Sequence, residues 1–367
     1  MLVKNNYEEC LTNLACSIRK YFELEYRHNT LDYIDRILEK KSPKNVVVIL
    51  FDGMGSRILD RTLESESFFI RKKFKEITTV FPATTTAATT SIRTGLNPIE
   101  HGWLGWNTYI APIDKTITLF RNSEKGKEDI CNEFLKVKNK LITKSITDEI
   151  NEKGKYKAFE FFPFGENKYE DLEDMLRIIQ NKTKEDGKKY IYVYDTEPDH
   201  SMHDFGPDSN EVNELIKIRN EKIENLCNRL EDTLLIITAD HGHKKAEHIF
   251  LNDYPEILNM LERTTSIEQR AVSFKIKEGL KEKFRNRFNS LFGEYFTLYN
   301  KDDIIKSSLF GNGIANELFE KAVGDFIAIA ENSNKCILTD GDEKLYSQHS
   351  GYTDDEIYVP LIIVDRT

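Results

Sequence analysis

Three short apolar runs, each ending in an aspartate, constrain the fold of this chain more than any other feature. The runs and the aspartates that end them are 46–51 with Asp52, 190–194 with Asp195, and 234–239 with Asp240. An apolar run without alternation is typical of a strand that is buried on both faces of a parallel sheet. Because ligands bind beyond the carboxyl ends of such strands, the sequence predicts an α/β fold with polar side chains gathered at one edge.

Helical patterns lie between these predicted strands. Apolar residues recur at helical spacing in residues 169–184 and 211–230. This alternation of strands and helices predicts a doubly wound, mostly parallel sheet flanked by helices. Residues 6–41 also show helical spacing, so we expect an N-terminal helical segment (1–45) that packs on the core.

The pattern changes between residues 250 and 340, which we interpret as a smaller α+β insertion. Residues 270–277 alternate apolar and polar side chains, as expected for an antiparallel strand with one exposed face. Residues 326–330 are apolar throughout, and we expect them to rejoin the main sheet. The core then comprises residues 46–249 and 341–367, and the insertion lies over the carboxyl edge as a cap.

Composition argues against several classes of partner. The 367 residues carry 62 acidic and 52 basic side chains, a net charge of −10. An acidic chain argues against a nucleic-acid groove and against an anionic membrane surface, although bound divalent cations would still attract a small phosphorylated substrate. No run approaches the roughly 20 apolar residues of a membrane span. The first ten residues lack a signal-peptide core and the five cysteines are scattered, so we expect a cytoplasmic protein with reduced thiols.

Histidines and carboxylates cluster where the predicted strands end. Asp199 and His203 are four residues apart, a spacing that places both side chains on one face of a helical turn. Asp240 and His241 follow the third apolar run directly, and His349 lies near the end of the chain. A mixed set of imidazoles and carboxylates suits zinc or another first-row divalent ion better than Ca²⁺ or Mg²⁺. The sequence therefore predicts a metal site at this edge.

Thr85 lies in a stretch of small hydroxyl residues that follows a predicted strand and Pro82. This layout exposes a hydroxyl at a helix N-terminus, where free N–H groups attract anions. A Thr at this position can therefore be aimed at an anionic ligand, although the plainer alternative is that the hydroxyls only cap the helix. Residues 97–118, beyond the helix, show no regular spacing, and we expect an irregular segment there.

Together these motifs resemble the alkaline phosphatase superfamily, and most closely its type I phosphodiesterase/nucleotide pyrophosphatase branch. The resemblance covers residues 46–243 and resumes near His349. Several motifs in the same order are a more specific signal than any one alone. The matching motifs are Phe51-Asp52-Gly53, Thr85 with Thr94-Gly95 nine residues later, Glu197-Pro198-Asp199 with His203 and Gly206-Pro207, and Asp240-His241-Gly242.

The resemblance implies a two-metal phosphoric ester hydrolase with an alkaline phosphatase-like fold. Thr85 would be the nucleophile and would form a covalent phospho-threonine, or a nucleotidyl-threonine with a diester substrate, which water then hydrolyses from the opposite side. The cofactors would be two divalent ions about 4 Å apart, with zinc expected first and manganese as the alternative. One ion would be held by Asp199, His203 and His349, and the other by Asp52, Asp240, His241 and the Thr85 oxygen.

The sequence departs from the resemblance at Ala88. By that resemblance, an asparagine three residues after the nucleophile donates to a phosphate oxygen, and alanine cannot. Thr89, the N–H groups that follow Thr85, or a residue of the insertion are the candidate replacements. Further candidates near the site are His243 beside the metals, Asp195 and Glu197 as acceptors that orient ligand imidazoles, and Lys244 as an extra cation for the substrate.

Charge gives a mild preference among substrates. Asp52, Asp199 and Asp240 leave two divalent ions with about one net positive charge, and with about none once Thr85 ionises. That balance suits a singly charged diester, such as a nucleotide diester, better than a dianionic monoester. The alternatives are a phosphonate hydrolase, a phosphomonoesterase and a non-catalytic metal-binding relative, the last favoured by Ala88. A sulfatase is not supported, because the chain has no Cys/Ser-x-Pro-x-Arg motif.

Overall fold

The strands form a six-stranded central sheet, a second sheet of seven strands and two short ladders. The computed structural model describes residues 5–367, so residues 1–4 of the predicted N-terminal segment lie outside the described residues. Within that range the strands are β1 (Asn45–Phe51), β2 (Lys73–Thr78), β3 (Asn107–Ile110), β4 (Lys115–Thr118), β5 (Ser123–Glu124), β6 (Lys157–Phe161), β7 (Lys189–Asp195), β8 (Thr233–Thr238), β9 (Lys244–Lys245), β10 (Glu247–Phe250), β11 (Ser266–Ile267), β12 (Ala271–Phe274), β13 (Thr297–Asn300), β14 (Phe326–Ile329), β15 (Lys335–Leu338), β16 (Ser347–Gln348) and β17 (Tyr358–Arg366).

Helices cover the central sheet and connect its strands. In the same residues they are α1 (Leu11–Tyr21), α2 (Asp32–Lys41), α3 (Ser56–Thr62), α4 (Phe68–Lys72), α5 (Thr85–Thr94), α6 (Pro98–His101), α7 (Asn132–Val137), α8 (Ile146–Lys153), α9 (Leu172–Lys184), α10 (Asp199–Phe205), α11 (Asn210–Cys227), α12 (Pro255–Leu258), α13 (Lys281–Phe292), α14 (Lys301–Lys306), α15 (Phe319–Val323) and α16 (Asp354–Ile357). The predicted helices α9 and α11 each bury one apolar stripe, with Met175 and Ile216 among the core residues. None of these helices is long and apolar enough to cross a membrane.

The central sheet has the strand order β2-β17-β8-β1-β7-β6. Strand β1 pairs in parallel with β7 on one side and with β8 on the other, and β7 pairs in parallel with β6. Strand β17 breaks the pattern, because it pairs antiparallel with both β8 and β2. All residues of β1, β7 and β8 are buried, as expected for strands covered by helices on both faces. The predicted doubly wound, mostly parallel sheet is confirmed.

The register of the three central strands brings their carboxyl ends together. Phe51 lies opposite Asp195, the last residue of β7, and Leu50 lies opposite Thr238, the last residue of β8. Each fully buried Val, Leu or Ile side chain in these strands contributes roughly 1.5–3 kcal/mol, so the apolar core fixes this register. Asp52 and the residues that follow the two neighbouring strands therefore emerge at the same edge.

The N-terminal helices pack on the central core and hold the far end of helix α5. Leu11 and Leu14 of α1 are fully buried in the same apolar cluster as the valines of β1. Arg19, near the end of α1, donates from Nη1 to the carbonyl oxygen of Thr94, the last residue of α5, at 2.9 Å. The predicted N-terminal helices thus anchor the helix that begins at Thr85.

The second sheet has the order β13-β14-β12-β11-β3-β4-β5 and takes strands from two distant parts of the chain. Strands β3 and β4 lie in residues 97–118, so the irregular segment expected there is wrong. Residues 326–329 form β14 between β12 and β13, so the prediction that they rejoin the main sheet is also wrong. The division into a core and a 250–340 insertion stays a prediction.

Burial on both faces explains why the second sheet was misjudged. Phe284 of α13 packs on Phe274 and covers one face, whereas Ile327 on the other face packs in a cluster with Phe81. The antiparallel strand expected in residues 270–277 is present as β12, but all of its residues are buried and it lacks the exposed face that we predicted. An apolar run that is buried on both faces does not reveal which sheet it joins.

Candidate active site

The first group of candidate ligands meets around the Thr85 hydroxyl, beyond the end of β1. Thr85 is the first residue of α5, and its Oγ1 lies 3.4 Å from both carboxylate oxygens of Asp52 and 3.1 Å from Nε2 of His241. Nε2 of His241 lies in turn 3.4 Å from Oδ1 of Asp52 and 3.6 Å from Oδ2 of Asp240. All four side chains are buried. The structure thus brings together Thr85 and the three residues predicted to share a metal with it.

A second group lies beside the first, around Asp199 at the start of α10. Nε2 of His203 lies 3.4 Å from Oδ2 of Asp199, one helical turn away, as the four-residue spacing predicted. Nε2 of His349 lies 3.9 Å from Oδ1 of Asp199, and its ring stacks on that of His241 with centroids 3.8 Å apart. The two groups therefore touch, and Asp199 lies close enough to Asp52 and His241 to belong to both.

Gly53 allows helix α10 to approach the end of β1. The glycine has φ +72°, and a Cβ at this position would lie 2.7 Å from Cε of Met202 and 3.0 Å from Cβ of Asp199. Its N–H donates to Oδ1 of Asp240 at 3.0 Å, and the Asp199 N–H donates to the carbonyl oxygen of Asp52 at 3.0 Å. The glycine that follows Asp52 in the sequence therefore serves the close approach of three acidic residues.

Backbone carbonyls fix the imidazoles of three candidate ligands. The contacts are His203 Nδ1 to Ser347 O at 2.8 Å, His241 Nδ1 to Gly242 O at 3.1 Å, and His349 Nδ1 to Ala83 O at 3.1 Å. Because a carbonyl oxygen can only accept, Nδ1 carries the proton in each ring and Nε2 presents its lone pair. This is the tautomer that a ligand bonded through Nε2 requires.

His243 joins the group around Asp199 more closely than we predicted. Its Nδ1 lies 2.9 Å from Oγ of Ser347, which itself donates to the carbonyl oxygen of Met202 at 2.6 Å. Nδ1 is therefore the donor, and the lone pair of Nε2 faces Oδ1 of Asp199 in a short contact. Burial lowers the pKa of His243 to about 4, so no second proton bridges the two atoms at neutral pH. A divalent cation would satisfy both atoms.

Asp195 and Glu197 do not orient the imidazoles, contrary to our prediction. Asp195 accepts from Nε and Nη2 of Arg219 at 3.0 and 2.7 Å. Glu197 accepts from the N–H of Ser201 at 3.1 Å, in the first turn of α10. Position at a strand end does not reveal these partners, because Arg219 comes from α11, further along the chain. The two carboxylates stabilise the edge and the start of α10.

Unlike Asp195, the buried carboxylates of Asp52 and Asp240 have no Lys or Arg partner within residues 5–367. Burial raises the pKa of Asp52, and the neighbouring carboxylates of Asp199 and Asp240 raise it further. Burial also raises the pKa of Asp240, whose Oδ2 has no hydrogen-bond partner within residues 5–367. A buried, unpartnered carboxylate oxygen is costly unless a cation contacts it. The donor set, with its unpartnered oxygen and lone pairs, therefore fits divalent metal ions.

Two predicted substrate-binding groups have other partners. Nζ of Lys244 lies 2.9 Å from Oδ2 of Asp355, so this cation is already paired. Oγ1 of Thr89 donates to the carbonyl oxygen of Thr85 at 2.6 Å, one turn earlier in α5. The hydroxyl proton is used within the helix, which does not support Thr89 as the replacement for an amide at Ala88.

Tyr194 is a residue near the site that sequence reasoning missed. Its hydroxyl donates to Oδ2 of Asp52 in a short hydrogen bond, and its side chain is buried. Burial raises the pKa of Tyr194 well above its usual value, and the Asp52 carboxylate raises it further, so the phenol stays protonated. The only signal in the sequence was that Tyr194, which carries a hydroxyl group, directly precedes Asp195 at the end of β7.

Asn107, in β3 of the second sheet, and Glu268, in the turn between β11 and β12, were also missed. Oε1 of Glu268 accepts from Oγ1 of Thr84 at 2.6 Å and from the N–H of Trp106 at 2.7 Å. Burial raises the pKa of Glu268 to about 7. Asn107 follows Trp106, and its Oδ1 accepts a hydrogen bond from Oγ1 of Thr118 at 2.7 Å. This contact fixes the orientation of the Asn107 amide, so that Nδ2 remains a donor. No local pattern marks Glu268, because long-range strand pairing places it beside Thr84 at the start of α5.

The chain resembles known proteins in family and in fold. Residues 46–353 match the profile of the type I phosphodiesterase / nucleotide pyrophosphatase family. Inactive murine ectonucleotide pyrophosphatase / phosphodiesterase 5, solved in complex with AMP, has a TM-score of 0.64 and 20% identity over 86% of this chain and 87% of that chain. Phosphonoacetate hydrolase from Sinorhizobium meliloti 1021, in complex with phosphonoformate, has a TM-score of 0.63 and 14% identity over 88% and 90%. No curated protein matches the chain.

The family match includes both groups of candidate ligands. Thr85 and every predicted metal ligand from Asp52 to His349 fall within residues 46–353. The likeness to the two solved structures supports the α/β fold in which these residues meet. The chain therefore belongs to the type I phosphodiesterase/nucleotide pyrophosphatase family of phosphoric ester hydrolases.

Proposed function

We propose that the protein hydrolyses a small phosphodiester, with Thr85 as the nucleophile and two divalent metal ions bound. The observation that carries the proposal is the position of the Thr85 hydroxyl, 3.1 Å from Nε2 of His241 and 3.4 Å from Asp52. A cation held by those two side chains would favour the ionised hydroxyl. Thr85 also begins α5, whose first N–H groups attract phosphate oxygens.

Two sets of side chains would hold the metals. Zinc is proposed first and manganese second, because imidazole and carboxylate donors together suit first-row divalent ions. When bound, such ions act as Lewis acids that offset the charge developing on the phosphoryl and leaving oxygens. One set is Asp199, His203 and His349, with His243 in reach of the same point, and the other is Asp52, Asp240, His241 and Oγ1 of Thr85.

Thr85 carries the proposed reaction in two displacements. Its oxygen forms a bond to phosphorus as the bond to the leaving oxygen breaks, and the hydroxyl proton passes to solvent while the leaving oxygen takes one up. Water then attacks the same phosphorus, and the Thr85 oxygen leaves and regains a proton. Asp52 and His241 hold the Thr85 side chain in both displacements. The first N–H groups of α5 are the proposed donors to the phosphoryl oxygens in the absence of a polar side chain at Ala88.

A diester of the nucleotide class is the proposed substrate. The family match favours a diester, and the murine neighbour was solved with AMP bound. The charge balance at the edge, about one positive charge before Thr85 ionises, favours a monoanion. The pairing of Lys244 with Asp355 removes the cation that we had considered for a dianionic monoester.

Hydrolysis of bis(p-nitrophenyl) phosphate and p-nitrophenyl phosphate, with Zn²⁺ or Mn²⁺ added, tests this function. We expect the diester to be cleaved faster, and cleavage to be lost in Thr85→Ala. Thr90→Ala is the matched control, because Thr90 is buried in the same helix and its hydroxyl only donates to the Thr86 carbonyl oxygen at 2.8 Å. Faster monoester cleavage would overturn the substrate proposal, and undiminished cleavage by Thr85→Ala would overturn the nucleophile.

A further inference from the structure

Thr84 occupies the N-cap position of α5 but does not cap it. A Thr at an N-cap ordinarily accepts a hydrogen bond at its side-chain oxygen from the second or third N–H of the helix. Thr84 has the extended backbone of an N-cap, φ −141° and ψ 146°, yet makes no such bond. Its hydroxyl instead donates to Oε1 of Glu268 at 2.6 Å. The partner lies in the turn between β11 and β12 of the second sheet.

Glu268 is held rigidly in the position that receives this hydroxyl. Its Oε1 also accepts from the N–H of Trp106 at 2.7 Å, which fixes the carboxyl group from the other side. Ile267, the preceding residue, has φ +74°, a strained conformation for a β-branched side chain. Gly105 permits the close approach, since a Cβ there would lie 2.7 Å from the Ile267 carbonyl oxygen. Strain of this kind persists only where the surroundings enforce it.

The first turn of α5 is open as a result. Within residues 5–367, the N–H groups of Thr85, Thr86 and Ala87 have no hydrogen-bond acceptor, whereas Ala88 N–H donates to the Thr84 carbonyl oxygen at 2.9 Å. The N–H groups of Thr86 and Ala87 are those that the Thr84 hydroxyl would occupy as a cap. They lie in the same turn as the Thr85 hydroxyl, where phosphoryl oxygens would need donors.

We propose that Glu268 is a positioning residue: it withholds the Thr84 hydroxyl from the cap of α5, so that the first-turn N–H groups stay open to the phosphoryl group. This inference rests on the proposed function, because it concerns the phosphoryl group that Thr85 attacks. Glu268 itself does not touch that group. If Glu268 acts only through Thr84, then Glu268 becomes dispensable once the Thr84 hydroxyl is removed.

Four variants test this arrangement by bis(p-nitrophenyl) phosphate hydrolysis and by inhibition with inorganic phosphate. Glu268→Ala frees the Thr84 hydroxyl to cap the helix, and we expect kcat/KM and phosphate affinity each to fall about 10- to 30-fold. Thr84→Val removes the competing hydroxyl, and we expect a loss below about threefold. The double variant should return to the level of Thr84→Val. Glu268→Gln, which still accepts at Oε1, should stay near wild type.

A double variant no better than Glu268→Ala would overturn the inference, since Glu268 would then act by another route. Glu268→Gln as impaired as Glu268→Ala would also overturn it, because the charge would matter and the accepted hydrogen bond would not. Glu268→Met keeps the side-chain volume and replaces Glu268→Ala if thermal unfolding shows that the latter does not fold. If wild type cleaves no ester, the proposed function fails, and calorimetric binding of inorganic phosphate to the Zn²⁺-loaded variants still tests Glu268.

Discussion

The two sheets contribute to the candidate site in different ways. The central sheet delivers candidate ligands, such as Asp52 and Asp240, because its parallel strands end at one edge. The turn between β11 and β12 of the second sheet places Glu268 against Thr84, which precedes the proposed nucleophile. The topology of the central sheet brings the candidate ligands together, whereas the second sheet determines the hydrogen-bond partner of Thr84 at the start of α5. Substitutions in the two sheets should therefore impair different properties of the protein.

Asp240→Asn should give the largest effect, on the central-sheet side. Its unpartnered Oδ2 is a ligand atom in our account, so kcat should fall about 10³- to 10⁴-fold and one of two metal ions should be lost. Metal content by mass spectrometry and steady-state rates measure both. Asp195→Asn is the control, because Asp195 also ends a strand but pairs with Arg219. Full metal content in Asp240→Asn would contradict the assignment.

Arg270→Met should give the next largest effect, on the second-sheet side and on stability. Arg270 makes two hydrogen bonds to Glu356, at 2.7 and 2.9 Å, and both side chains are fully buried. Removing one partner leaves a buried charge, so the free energy of unfolding should fall by about 3–5 kcal/mol in urea titrations. Arg285→Met breaks a surface pair with Glu282 and should cost less than about 1 kcal/mol. Equal losses would show that the buried pair does not hold the second sheet.

His243→Asn sharpens the boundary of the metal site. Because His243 contacts Asp199 beside His203 and His349, we expect zinc affinity to fall about 10- to 100-fold, measured by competition with a chelator. His203→Asn is the reference for loss of a full ligand. A change below about twofold would place His243 outside the metal site.

The smallest effect should be a pH dependence of stability at His101, in α6 between the two sheets. Burial lowers the pKa of His101 from 6.5 to about 3, and its ring lies between the Trp103 N–H and the Ser91 hydroxyl, each at 3.0 Å. Below about pH 6.5 the His101 side chain of the unfolded chain binds a proton, whereas in the folded chain it stays neutral down to about pH 3. The free energy of unfolding therefore decreases as the pH falls from about 6.5 towards 3. At about pH 5.5 the loss should be about 1 kcal/mol, measured in urea and absent from His101→Gln. Identical pH profiles for the two proteins would contradict it.

The clustering of the candidate ligands at the central-sheet edge was predictable from the sequence. Asp52 and Asp240 end strands that are buried on both faces, and Asp199 with His203 has the spacing of one helical turn. The same rule failed at Asp195, because its position at a strand end carries no information about Arg219 in a later helix. A local pattern identifies where a side chain emerges from the fold. It does not identify what the side chain contacts there.

The second sheet could not be predicted, because its order depends on pairing between distant segments. Strand β14 is as apolar as a central strand, so periodicity did not separate the two sheets. Glu268 lies in the turn between β11 and β12, and only the pairing of Ile267 with Asn107 brings it beside Thr84. The Thr84 hydroxyl, which would be expected to cap its own helix, therefore binds a residue distant in the sequence. No local stretch of sequence predicts this partner.

The central claim is that Thr85 attacks phosphorus and carries the phosphoryl group. Acid quench of Zn²⁺-loaded protein within the first turnover of bis(p-nitrophenyl) phosphate, followed by peptide mass spectrometry, tests it directly. We predict a p-nitrophenyl-phosphoryl adduct, which keeps the second ester group of the substrate, on the peptide containing Thr85, located on that residue by fragmentation and absent from Thr85→Ala. Turnover with no adduct on Thr85, or with an adduct on another residue, would contradict the account.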